Sequence, residues 1–166
     1  MLPDLLRHHL KLVVCGTAVG NTSAQLKQYY AGPSNKFWKT IFETGLTPVL
    51  IAPSEYEKLL DYEIGLTDLV KGKSGMDHGL RTADFASKTL VEKIKQYQPK
   101  YLCFSSKRAA KEFFQRRAEY GLQPEKIGKT RIFVAPSTSA VANRWWNVHL
   151  WQELAKLCGT SLHEER

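Results

Sequence analysis

The loop that follows the first apolar segment has the composition of a ligand-binding loop. Residues 11–15 form a short, valine-rich apolar run, which predicts a buried strand, and Gly16 and Gly20 come next with small residues between them. Glycines allow a ligand to approach the backbone closely, so that backbone N–H groups can donate hydrogen bonds to it. The spacing matches neither a P-loop nor a dinucleotide-binding G-x-G-x-x-G loop. A ligand-binding loop and a plain tight turn therefore remain as alternatives.

Two further segments place polar side chains where a ligand could reach them. Asp68 lies in residues 64–70, a short apolar stretch that is compatible with either a strand or a loop. Ser137 follows residues 131–135, whose apolar run predicts another strand. Ligands of parallel sheets bind at the carboxyl ends of the strands, so we expect the loops at these ends to form one site. These loops begin at Gly16, Ser105 and Pro136.

The elements that must position these loops alternate between strands and helices. Residues 101–104 predict one more strand, and residues 72–79 form a turn-rich segment with the composition of a mobile loop. Ser34 is the expected N-cap of the first helix, and Gly45 its expected end. Helices are predicted at residues 35–44, from 53 onward, and at 82–98, 106–120 and 143–158. This alternation predicts a single α/β domain over residues 1–166, a three-layer α/β/α sandwich around a mainly parallel sheet of about four strands.

Composition narrows the class of protein. The chain has 166 residues, of which 43% are hydrophobic, so it can bury a core without disulfide or metal staples. Its three cysteines contain no C-x-x-C pair, which argues against a disulfide framework and against a zinc site. No apolar run approaches the ~18 residues that span a bilayer, and the opening residues lack the apolar core of a signal peptide. We therefore expect a cytoplasmic protein with no membrane partner and no metal.

The net charge of +8 is concentrated in one region. Residues 71–117 hold twelve Lys and Arg but only four Asp and Glu, whereas the rest of the chain is balanced. Cations that neutralise phosphates release condensed counterions, so a basic region favours a polyanionic partner such as nucleic acid. The alternative is a set of solvated helix faces whose charge serves solubility.

Four segments together resemble one protein family. Residues 15–38 read CGTAVGNTSAQLKQYYAGPSNKFW, residues 59–62 read LLDY, and residues 65–70 read GLTDLV. They are similar, in the same order, to the CGINPG, HPANRFW, LLDY and G-[VIF]-T-x-[LM]-V motifs of the mismatch-specific uracil-DNA glycosylases and thymine-DNA glycosylases. Residues 133–140, FVAPSTSA, resemble the second motif of that family, LPNPSG, more weakly.

The resemblance implies a DNA repair enzyme without a cofactor. It would hydrolyse the N-glycosidic bond of uracil, or of another deaminated or mismatched base, and leave an abasic site. The expected partners are double-stranded DNA that contains uracil or a mismatch, single-stranded DNA, and the abasic product, bound by a monomer. A base inside a duplex must be flipped out to react, at about a few kcal/mol. Donors aimed at the oxygens of the anionic leaving base would lower the barrier.

The resemblance also implies roles for individual residues. Tyr30 corresponds to the aromatic that stacks on the flipped base, and Ser23 to the residue that lines the pocket near C5 of a pyrimidine. Asp68 stands where relatives contact the base, and its carboxylate could accept the N3–H of uracil; a solvated loop carboxylate is the alternative. Backbone N–H groups of the first loop would donate to the base oxygens. The pocket residues in that loop are Gly16, Thr17, Ala18 and Gly20.

A second group of residues resembles the loop that enters the DNA stack. An apolar side chain there replaces the extruded base, and Arg144 would hold a phosphate or the orphan base. By contrast, Asn35 is expected to cap or turn the chain, and Phe37 and Trp38 to lie in the core. The expected DNA-binding residues are Ser139, Ala140, Val141, Asn143 and Arg144.

The sequence departs from the family at the catalytic positions. Relatives carry an asparagine where this chain has Ala18, and the asparagine positions the attacking water; Ser137 likewise replaces an asparagine in the second motif. The candidates to take over this role are Asp68, Asn21, Ser137 and Thr17. An active glycosylase is favoured. The alternatives are a protein that binds uracil-containing or abasic DNA without cleaving it, and a flavodoxin-like nucleotide-binding domain.

Overall fold

A computed structural model describes residues 2–18, 20–70 and 82–159, without the side chains of Asn21 and of residues 82–85. The turn-rich segment expected at residues 72–79 lies outside the described residues. No helix in the described part of the chain is long and apolar enough to cross a membrane.

The centre of the fold is a five-stranded sheet. Four of its strands are parallel, and the last pairs antiparallel at one edge, in the order β2-β1-β3-β5-β4. The strands are β1 (Leu12–Gly16), β2 (Ile64–Asp68), β3 (Tyr101–Phe104), β4 (Gly121–Ile127) and β5 (Thr130–Val134). The mainly parallel sheet of the prediction is confirmed, and the 64–70 segment is resolved in favour of a strand.

The prediction of about four strands missed β4, and it made the preceding helix too long. The helix expected over residues 106–120 ends at Phe114, because Gln115 adopts a left-handed φ of 58°. The chain then forms β4, whose register shifts between Leu122 and Lys126. Pro124 lies inside that irregular stretch, where a missing N–H is tolerated at the edge of a sheet. A proline among polar residues carries no strand signal.

Helices cover both faces of the sheet and produce three layers. The regular elements are α1 (Asn21–Leu26), α2 (Phe37–Glu43), α3 (Thr82–Tyr97), α4 (Lys107–Phe114) and α5 (Val148–Cys158), with 3₁₀ helices at Pro53–Tyr62 and Ala140–Trp145. One core contains Phe37, Trp38 and Trp151, and the other contains Leu90, Ile94 and Ala109. The core positions expected for Phe37 and Trp38 are confirmed.

Three helix boundaries differ from the prediction. Helix α1 occupies a stretch that was expected to be a loop. At α2, Asn35 rather than Ser34 holds the start, since its Oδ1 accepts the Phe37 N–H at 2.9 Å. The helix expected over residues 143–158 is divided, because Asn147 is extended and its side chain accepts the N–H of His149 at 3.0 Å. A separate 3₁₀ helix therefore precedes α5.

Candidate functional site

A cavity of about 310 Å³ opens at the carboxyl ends of the parallel strands, where the sequence predicted a site. Its volume is within the range of pockets that hold small ligands. The loops after β1, β3 and β5 and the end of β2 all contribute to it. The lining residues are Leu2, Gly16, Thr17, Ala18, Gly20, Thr22, Ser23, Tyr29, Tyr30, Gly32, Asn35, Asp68, Ser105, Ser106, Ser137, Thr138 and Ser139.

Asp68 and Gly16 form the floor of the cavity. They are register partners at the ends of β2 and β1, and the pairing continues where the Leu69 N–H donates to the Gly16 carbonyl at 2.8 Å. The Asp68 side chain is only 5% exposed. A Cβ atom at Gly16 would lie 3.0 Å from Asp68 Oδ1, 3.5 Å from the Tyr30 hydroxyl and 3.7 Å from Ser105 Oγ. The side chains of Asp68, Tyr30 and Ser105 therefore converge at Gly16, where the absence of a Cβ leaves room for them. We call these three residues the polar cluster.

Tyr30 presents a buried hydroxyl to the polar cluster. Its ring stacks on Phe37 with the centroids 4.0 Å apart and an interplanar angle of 20°, so a ligand could stack only on the opposite face. The hydroxyl is buried without a hydrogen bond of good geometry to any described residue. Burial, and next the negative charge of Asp68, raise the pKa of Tyr30. The phenol consequently stays protonated at neutral pH and can donate to a ligand.

The position of Tyr30 depends on the buried Ser23 hydroxyl. Tyr30 has a left-handed φ of 51°, and the Ala31 N–H that follows it donates to Ser23 Oγ at 2.9 Å. Because a left-handed tyrosine is disfavoured, the turn needs such an outside partner. Ser23 lines the cavity as expected, but its hydroxyl is engaged in holding this turn.

The loop after β5 forms another wall of the cavity. Its backbone is anchored where Trp151 Nε1 donates to the Pro136 carbonyl at 3.0 Å. Ser137 Oγ accepts the N–H of Ser139 at 3.2 Å, which forms a turn. Ser137 therefore lies at the cavity, with its hydroxyl oxygen already used in shaping the loop.

A protruding segment follows that wall. It is the 3₁₀ helix at residues 140–145, which we call the wedge segment, and its side chains include Val141, 90% exposed, and Trp145, 58% exposed. The guanidinium carbon of Arg144 lies 5.1 Å from the Trp145 ring centroid. An exposed apolar pair beside a cation is suited to contact stacked bases and phosphates.

The structure brings together most residues that the sequence proposed. Asp68, Ser137 and Tyr30 all line the cavity, and so does Ala18, whose side chain has no polar group. The side chain of Asn21 lies outside the described part of the chain, as does Val19 of the first loop. Asn35 lines the cavity and also makes the turn expected of it. Of the expected DNA-binding residues, Ser139 borders the cavity, whereas Ala140, Val141, Asn143 and Arg144 belong to the wedge segment.

Sequence reasoning missed two residues of this site as functional groups. Ser105 was read only as the start of a loop, although its position at the carboxyl end of a parallel strand was the available signal. Trp145 was counted as part of a helix, although an adjacent pair of tryptophans in a loop-like stretch is unusual for a helix start.

The charge of the cavity limits what it can bind. Among the described residues that line it, Asp68 carries the only charged side chain, and the other polar groups are hydroxyls, an amide and backbone. A carboxylate at the floor of the cavity repels phosphate, which disfavours the nucleotide-binding alternative. In the described part of the chain, no group of three or more His, Cys, Asp and Glu could hold a metal ion. The arrangement suits an uncharged ligand that offers both carbonyl oxygens and an N–H.

Comparison with known proteins identifies the family and the fold. A family model of the uracil DNA glycosylase superfamily matches residues 3–155. The fold is similar to a solution NMR structure from Methanosarcina acetivorans that carries the provisional name uracil DNA glycosylase, with a TM-score of 0.61 and 19% identity over 95% of this chain and 96% of that one. At that identity the likeness concerns the fold alone. Since the family match spans almost the entire chain, including the floor and walls of the cavity, this protein belongs to the uracil DNA glycosylase superfamily.

Proposed function

We propose that this protein hydrolyses the N-glycosidic bond of uracil in DNA and leaves an abasic site. The observation that carries the proposal is the polar cluster at the floor of a cavity whose one charged lining group, among the described residues, is Asp68. Membership of the superfamily supports a glycosylase, and the motifs at residues 15–38 and 59–70 favour the mismatch-specific branch.

The polar cluster complements the edge of uracil. That edge presents a carbonyl, an N–H and a second carbonyl. The Tyr30 hydroxyl can donate to a carbonyl oxygen, while the Asp68 carboxylate can only accept. The Ser105 hydroxyl donates to the Cys15 carbonyl at a long 3.4 Å and can donate to the base by exchanging that hydrogen bond. Backbone N–H groups of the first loop add donors near the base. As negative charge develops on the departing base, donors that are already in place stabilise it more than water would.

Asp68 is also the best candidate to position the attacking water, the role that relatives give to an asparagine at the position of Ala18. A buried carboxylate can orient the attacking water and accept its proton, and its charge stabilises the cationic sugar of the transition state. Ser137 is less suited, since a neutral hydroxyl is a far weaker proton acceptor than a carboxylate, and its oxygen also accepts the Ser139 N–H at 3.2 Å. In this mechanism the carboxylate, rather than an amide, orders the water.

The substrate test compares base release from oligonucleotides of one sequence. Uracil is placed opposite guanine, opposite adenine and in single-stranded DNA, and thymine opposite guanine and hypoxanthine serve as the other substrates. We expect release of uracil, with the mismatched duplex among the better substrates because a weakly paired base is easier to extrude. Ala18 favours the second candidate, a protein that binds damaged DNA without chemistry. Tight binding of abasic duplex with no base release from any substrate would establish that second function instead.

Asp68→Asn tests the role of the carboxylate. The substitution keeps the size and one acceptor oxygen but removes the charge, and general-base catalysis contributes about 10²- to 10⁴-fold, so we expect kcat to fall by that factor. Asp61→Asn is the matched control, because Asp61 is exposed on the 3₁₀ helix at residues 53–62. A full rate in Asp68→Asn would mean that Asp68 only accepts an N–H of the base.

A further inference from the structure

We propose that Lys36 is a positioning residue that fixes the wedge segment at the mouth of the cavity, so that extrusion of a base from a duplex depends on it. The inference rests on the proposed function and adds a residue that neither the motifs nor the family match assigns. Lys36 follows Asn35, a cavity-lining residue, and immediately precedes α2.

Lys36 reaches the loop after β5 in three ways. Its backbone N–H donates to the Thr138 carbonyl at 2.9 Å. Its Nζ donates to Asn143 Oδ1 in the wedge segment. The same Nζ lies 5.1 Å from the ring centroid of Trp146, the residue that ends this 3₁₀ helix. One side chain therefore contacts Asn143 within the wedge segment and Trp146 directly after it.

The wedge segment has little else to hold it. None of its six residues is buried, and the nearest apolar anchor is Trp146, which follows the segment and packs against the core. A short 3₁₀ turn with exposed side chains is expected to sample several conformations unless polar contacts restrain it. The Lys36 contacts supply such a restraint, and they link the wedge segment to the stretch that begins α2, whose Phe37 is fully buried.

A fixed wedge segment should matter more for duplex DNA than for single-stranded DNA. In a duplex, the exposed Val141 must fill the space of the extruded base, and a wedge that is already ordered avoids the entropy loss of ordering it. In single-stranded DNA there is no stack to hold open. Loss of the Lys36 contacts should consequently impair duplex substrates selectively, whereas loss of a mere phosphate contact should impair both.

The experiment compares Lys36→Met, Lys36→Arg and Lys39→Met on uracil in double-stranded and single-stranded DNA of one sequence. Methionine keeps the length of the side chain and removes its charge and hydrogen bond. Arginine retains both. Lys39 is the matched control, since it is an exposed lysine of α2.

We expect Lys36→Met to lower kcat/KM about tenfold or more on the duplex and less than about threefold on the single strand, since small misplacements at a site have effects of this order. Lys36→Arg should restore the duplex rate to within about threefold, and thermal unfolding of all variants should stay close to wild type. Equal losses on the two substrates, or equal losses in Lys36→Met and Lys39→Met, would overturn the proposal.

Failure of the proposed function has a different signature. If the wild-type protein releases no base, duplex DNA with a stable abasic analogue serves as the probe, because it already contains the gap. Lys36→Met should then bind the abasic duplex more weakly than Lys39→Met, while both bind intact duplex alike. If the two variants also bind the abasic duplex alike, Lys36 does not position the wedge.

Discussion

Two cavities of similar volume differ in the charge and type of the side chains that line them. The cavity at the strand ends, about 310 Å³, is lined by hydroxyl groups and one buried carboxylate. The second cavity, about 390 Å³, lies on the outer face of α4 and is lined by charged and long polar side chains; we call it the α4 face. Its residues are Arg108, Lys111, Glu112, Gln115, Arg116 and Arg117.

Three of the four cations of the α4 face, Arg108, Arg116 and Arg117, lie within 4.0 Å of a carboxylate, on Glu112, Glu125 and Glu119 respectively. Arg116 lies 2.7 Å from Glu125, and Arg108 lies 3.6 Å from Glu112 with its side chain 80% exposed. The Arg116 guanidinium lowers the pKa of Glu125. Exposed pairs of this kind contribute about 0–1 kcal/mol each and are screened by salt. If the proposed function holds, the α4 face offers DNA a general, salt-screened attraction, whereas recognition of the base belongs to the cavity with its one carboxylate.

Gly16→Ala should have the largest effect, and it tests whether activity depends on the polar cluster of the cavity. The added Cβ would lie 3.0 Å from Asp68 Oδ1, so the carboxylate must shift by a few tenths of an ångström within the polar cluster. We expect kcat/KM for uracil to fall about 30-fold or more, because small misplacements of reacting groups have large effects on rate. Gly20→Ala is the comparison within the same cavity-lining loop, because its Cβ would meet no protein atom within 4 Å and its φ of −70° suits alanine. It leaves the polar cluster undisturbed, so its loss of rate should be the smaller of the two. A rate near wild type in Gly16→Ala would remove the polar cluster from the reaction.

The sequence predicts elements that depend on local patterns better than elements that depend on contacts between distant parts of the chain. The strands β1, β3 and β5 were predictable because continuous apolar runs report burial on both faces. Asp68 was found through its place in a matched motif. The edge strand β4 was missed, since its stability comes from pairing with β5 rather than from any local pattern around Pro124.

Contacts across the chain could not be predicted at all. Lys36 and Asn143 are 107 residues apart, and nothing in either segment signals the other. The convergence of Ser105 with Asp68 over Gly16 depends on β1 lying between β2 and β3, an order that the sequence does not state. Ala18 could be identified as a departure from the family, but only the structure shows that Asp68 lines the same cavity as Ala18.

Tyr30→Phe should produce the next largest effect. It removes a hydroxyl and keeps the ring that stacks on Phe37, so stability should change little. Loss of one donor to the base, worth about 1–2 kcal/mol, should lower kcat about 5- to 30-fold. Because burial and the Asp68 charge raise the pKa of Tyr30, its phenol stays protonated, and the ratio of the wild-type rate to the variant rate should be constant from pH 7 to about 9.5. A ratio that falls as pH rises through this window would show that the phenol ionises and contributes less than proposed.

The smallest effect is expected at the α4 face, where Lys111→Met should leave kcat/KM within about twofold. Arg144→Ala in the wedge segment is the comparison. One lost phosphate contact reduces the slope of log affinity against log salt by about 0.9, so binding of duplex DNA should show that change for Arg144→Ala and almost none for Lys111→Met. The measurement is duplex affinity between about 50 and 200 mM salt, with and without uracil. If Lys111→Met lowers the slope as much as Arg144→Ala does, the α4 face belongs to the DNA interface, and its charge is a binding surface rather than a self-neutralised helix face.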